Sequence, residues 1–125
     1  MANLVNNVTK LNEGTTIVKN EGAAIQEVVL NRSDNKVSFL LENTDSTNDV
    51  KVTFVAGDGT SAVQGDLEVE VAATEFAAVG QLDSARFKES GKVIITILDP
   101  DGETFTGDTT DVLITVFESP KGLVD

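Results

Sequence analysis

The residues best equipped for chemistry are the carboxylates of Asp99-Pro100-Asp101-Gly102-Glu103, with Asp108 and Asp111 close behind. Calcium takes about six to eight oxygen ligands, and Asp99, Asp101 and Glu103 could supply a few of them. The spacing departs from an EF-hand loop, because Gly102 stands fourth in the run and no Glu stands twelfth. Pro-Asp-Gly is also a common β-turn signature. The segment therefore reads first as a tight turn and second as a weak calcium candidate. The glycine-rich residues 57–66 lack both the Lys and the following helix of a phosphate cradle, and read as a hairpin loop.

Composition removes most other chemistry. With no His, a conventional hydrolytic triad is excluded, and with no Cys, so are disulfides and thiolate metal sites. The 21 acidic residues offer no singled-out pair for acid–base work. No catalytic or cofactor-binding residue is expected, and no enzyme. Nine basic residues scattered through a chain of net charge −12 do not form the cationic stripe that nucleic acid requires. No run approaches the ~20 apolar residues of a membrane span. The opening MANLVNNVTK lacks the basic start and apolar run of a signal peptide, so synthesis and retention in the cytosol are expected.

The elements that position these residues announce themselves by alternation. Val50, Val52 and Phe54 share one face; so do Leu67, Val69 and Val71, and so do Val93, Ile95 and Ile97. A side-chain period of two marks strands with one face on a core. Further strands are expected at residues 23–30, 36–42, 76–79 and 112–117, with a short one near 15–19. The polar residues 43–49 form a loop, and residues 82–90 hold at most one helical turn. This predicts an all-β, single-domain β-sandwich, Ig-like or jelly-roll-like, of about seven to nine short, mostly antiparallel strands. Residues 1–22 are expected to be a polar arm, 23–118 the sandwich and 119–125 a tail.

Two strands break the one-sided pattern. Residues 92–98 carry Ile94 and Leu98 on the second face, and residues 111–117 carry Leu113 and Phe117. Either loops or the N-terminal arm cover these residues, or they meet another subunit.

The stretch GDLEVEVAATEFAAVGQLDSARFKESGKVIITI adds a resemblance. Gly65-Asp66-Leu67, Val69 and Val71, then Phe76, Val79 and Gly80, then Ser84-Ala85-Arg86-Phe87, and finally Gly91-Lys92-Val93 resemble a pattern in capsid decoration and accessory proteins of tailed bacteriophages. The chain departs from that pattern at Gln81-Leu82, where a proline and an aromatic are expected. The resemblance covers roughly a third of the chain. It implies a virion protein of β-sandwich type that binds the major capsid protein on the outer shell, often as a homo-trimer, and makes Arg86 and Phe87 candidate contacts. Alternatives are a tail or head-fibre module, or an Ig-like domain binding carbohydrate or a cell surface. Without Trp or Tyr, the chain is poorly equipped to stack on sugar rings.

Overall fold

The computed structural model describes residues 2–8, 14, 16–30, 37–57, 65–80, 87 and 91–118. The strands are β1 (Ala2–Asn3), β2 (Asn6–Val8), β3 (Asn20–Glu21), β4 (Ile25–Val29), β5 (Val37–Asn43), β6 (Val50–Phe54), β7 (Leu67–Val71), β8 (Phe76–Val79), β9 (Lys92–Leu98) and β10 (Val112–Glu118). They form a two-sheet sandwich. The first sheet has the order β1-β4-β9-β6-β7. The second has the order β2-β10-β5-β8, with β3 also on β10. Pairing is antiparallel except for β1 on β4 and β2 on β10, which run parallel.

The alternating residues meet in one core. Val50, Val52, Phe54, Val93, Ile95 and Ile97 of the first sheet face Val37, Phe39, Leu41, Val112, Ile114 and Val116 of the second, and all are buried. The Phe39 and Phe54 rings touch edge-to-face across the sheets, with centroids 4.9 Å apart. Such a contact adds about 0.5–1.5 kcal/mol to the burial of both rings.

The N-terminal segment differs from the expected arm. Its first residues pair with the first sheet through β1 and then cross to the second through β2. Leu4, at the crossing, is buried in the core. Residues 16–19 form no strand, and pairing begins at β3. Strands of two or three residues are too short to leave a periodic signature, so tertiary pairing decides them. Among the described residues the strand total rises to ten for the same reason. After β3 the chain turns at Gly22, whose amide donates to the Val112 carbonyl at 2.8 Å. A Cβ on Gly22 would come within 2.8 Å of the Thr109 and Val112 carbonyl oxygens, which accounts for the glycine.

Candidate binding surface

The acidic turn is built as a hairpin end. The Gly102 amide donates to the Asp99 carbonyl at 2.8 Å, and the Asp99 amide donates to the Glu103 carbonyl at 2.8 Å. Gly102 takes φ +91°, the left-handed position that closes such three-residue loops. The carboxylates are occupied locally. Asp99 accepts from the Thr106 hydroxyl at 2.6 Å and amide at 2.9 Å, and Asp101 accepts from the Glu103 amide at 2.9 Å. The Thr106 bonds hold Asp99 below the usual carboxylate range. Asp108 is held low likewise by the amide and hydroxyl of Thr110, as the cap of a 3-10 turn over Thr109–Asp111. Among the described residues, no three acidic side chains come together as a metal would need. Asp99, Asp101 and Glu103 close a turn.

A neighbouring loop repeats the device. Asp45 accepts from the amides of Thr47 and Asn48, both at 2.9 Å, and these bonds with the Asn48 side chain lower its pKa to about 2. The two loops are tied together. The amide and hydroxyl of Thr44 both donate to the Asp111 carbonyl, at 2.9 and 2.7 Å. The Thr74 amide donates to the Asp45 carbonyl. Residues 43–49, 72–75 and 99–111 contain no Lys or Arg, so this end of the sandwich is wholly acidic.

The sheet faces decide which apolar side chains can meet a partner. On the outer side of the first sheet, β4 presents Ile25, Glu27 and Val29, and β9 presents Lys92, Ile94, Thr96 and Leu98. Ile25 and Val29 are 49% and 50% exposed, while Ile94 and Leu98 are half-buried. In the register, Ile94 lies opposite Glu27 and diagonal to both Ile25 and Val29. The result is an apolar stripe across two strands. The Lys92–Glu27 ion pair, at 3.4 Å, crosses the stripe between Ile25 and Val29, and the Lys51–Glu68 pair, also at 3.4 Å, flanks it beyond Leu98.

The outer side of the second sheet is covered from within. Asn7, in register with Phe117, accepts from the Val18 amide at 2.8 Å and donates to the Val18 carbonyl at 3.0 Å and the Val116 carbonyl at 2.9 Å. Asn20 accepts from the Val5 amide at 2.8 Å and donates to the carbonyls of Val5 and Ile114, at 3.1 and 3.0 Å. Each side-chain amide thus stands in for a strand's backbone. Lys19 adds an ion pair at 2.8 Å to Glu42, the residue opposite Leu113. Thr115, between Leu113 and Phe117, is only 1% exposed.

The sites expected from sequence therefore separate. Ile94 and Leu98 lie on the open face, joined by Ile25 and Val29, which the sequence reading did not single out. Leu113 and Phe117 lie half-buried on the covered face. Phe87 is 4% exposed and belongs to the core, which leaves its side chain no surface to offer a neighbour. Arg86 lies outside the described residues. Among the described residues, no helix is long and apolar enough to cross a membrane. No protein-family profile, curated protein or solved structure matches this chain.

Proposed function

We propose that this protein is a non-enzymatic virion component that decorates the outer surface of a bacteriophage capsid, with the open face of the first sheet seated on the major capsid protein. The observation behind this reading is the stripe of Ile25, Val29, Ile94 and Leu98 on a chain of net charge −12. Acidity keeps such a chain dispersed and away from nucleic acid. An exposed apolar stripe on it suits a particular surface better than random association. The Lys51–Glu68 pair would lie on the polar rim of such a contact, and the Lys92–Glu27 pair would add a polar element within it.

The experiment is co-sedimentation with purified phage heads that lack the protein. The parent chain should pellet with the heads. Ile94→Lys, which puts a charge in the middle of the stripe, should stay in the supernatant while keeping the parent's circular dichroism. Failure of the parent to pellet, or pelleting of Ile94→Lys at the parent's level, would overturn the proposal.

A further inference from the structure

Among the described residues the second sheet ends on β8 with no strand beyond it, a feature independent of the capsid proposal. Exposed sheet edges are normally blunted by charge, by shortness or by a cover, since unpaired amides and carbonyls invite another strand. The first sheet ends on β7, which bears Glu68 and Glu70, and on β1, which has two residues. On the far side of the second sheet, β2 and β3 have three and two residues. β8 differs. It is the terminal strand of its sheet, four residues long, and residues 76–82 (FAAVGQL) include no charge. Phe76 is 66% exposed. The space above Gly80 is open, with no atom within 4 Å of where a Cβ would stand.

The backbone of β8 is oriented for pairing. The Asn43 amide donates to the Glu75 carbonyl at 3.0 Å, in line with the antiparallel register that joins β5 and β8. Bonding alternates along such a ladder. Ala77 and Val79 therefore direct their backbone groups to β5, and Phe76 and Ala78 direct theirs outward. We propose that β8 is the pairing edge of a homodimer, in which two copies join antiparallel through this strand into one continuous sheet. A two-fold axis at Ala78 sets Ala78 against its own copy and Phe76 against Gly80 of the second copy. All of these residues lie on the same face. An aromatic laid over a glycine fills the gap that the glycine leaves in the sheet. With the axis at Ala77, Val79 would instead meet the carboxylate of Glu75. Self-complementarity selects the occupant: this one edge supplies both the exposed aromatic and the open glycine it would cover, and it carries no charge to add to the repulsion between two chains of net charge −12.

An isologous pair closes at two copies, so the test is mass in solution, by light scattering of the full chain over a concentration series. Twice the chain mass is expected, falling toward the single chain on dilution. Ala78→Lys opposes two ammonium groups across the axis and should halve the mass. Ala78→Pro should do the same, because the amide it removes makes no bond to β5. Both variants should keep the parent's circular dichroism. Ile94→Lys, on the other sheet, should leave the dimer intact, so loss of capsid binding and loss of pairing are told apart. A monomer at every concentration, a trimer, a dimer indifferent to Ala78→Lys, or a dimer broken by Ile94→Lys would each overturn the proposal.

Discussion

β9 and β10 carry the same sequence signature and meet opposite fates. Each puts three large apolar residues into the core and two more on its outer side. Along the edge of β10 the chain pairs its own strands β2 and β3, and the bonds of Asn7 to Val18 and of Lys19 to Glu42 tie the segment before β3 across its outer side. On β9, Ile94 and Leu98 are half-buried, as Leu113 and Phe117 are, but Ile25 and Val29 on the adjoining β4 are left half-exposed. The cover is itself amphipathic, since Ile17 and Val18 remain exposed on its far side. A two-sided apolar strand thus reports that its outer face is needed, and long-range pairing decides whether the partner is internal.

Loosening the N-terminal segment from β10 should have the largest effect. Asn7→Ala removes both bonds to Val18 and the side-chain bond to the Val116 carbonyl. Hydrogen bonds of this kind contribute about 0.5–1.5 kcal/mol each, so denaturant unfolding should show a loss of about 2–3 kcal/mol. Asn20→Ala, whose bonds to Val5 are more exposed, should lose about 1 kcal/mol. If Asn7→Ala unfolds within about 0.5 kcal/mol of the parent, as an ordinary surface change would, the cover does not stabilise β10.

These ties also mark the limit of what the sequence discloses. The sandwich was legible because Val50, Val52, Phe54 and their counterparts alternate within single strands, which is local information. The turn at Asp99–Gly102 was legible too, since Pro-Asp-Gly reports its own backbone. The roles of Asn7 and Asn20 were not. Each bridges segments more than ten residues apart, and an Asn in a polar stretch looks the same whether it is solvated or bonded. The open stripe was half legible: Ile94 and Leu98 stood out within one strand. Ile25 and Val29 join them only through the β4–β9 register, which no periodicity supplies.

A second test uses two buried threonines. Thr115 lies between Leu113 and Phe117 and Thr53 lies on the outer side of β6, and among the described residues the buried hydroxyl of each has no hydrogen-bond partner. Replacing an unpaired buried hydroxyl by a methyl removes a desolvation cost and adds apolar burial. Thr115→Val should therefore stabilise the protein by about 1 kcal/mol, seen as a higher denaturant midpoint with an unchanged slope. Thr53→Val should gain less, because Thr53 is 6% exposed against 1% for Thr115. A loss of stability in Thr115→Val would mean that its hydroxyl is hydrated and the face above it is wet.

The smallest effect expected is one of acid, and it separates the ties of the covered face from those of the acidic end. Asn7 and Asn20 do not titrate, whereas Asp45 holds its loop as a carboxylate. Bonds from the Thr47 amide and then the Asn48 amide lower the Asp45 pKa from 3.8 to about 2. A folded-state pKa below the unfolded value stabilises the fold above the unfolded pKa. That contribution fades as pH falls through the window from 3.8 to about 2. Asp45→Asn should therefore melt below the parent at neutral pH and approach it as the pH reaches the lower end of that window. In the parent, the Thr47 and Asn48 amide resonances should titrate with a midpoint near 2, while those of Val5 and Val18 hold still. Movement of the Val18 resonance with the same midpoint would tie the cover to the acidic loops and dissolve the distinction between the two regions.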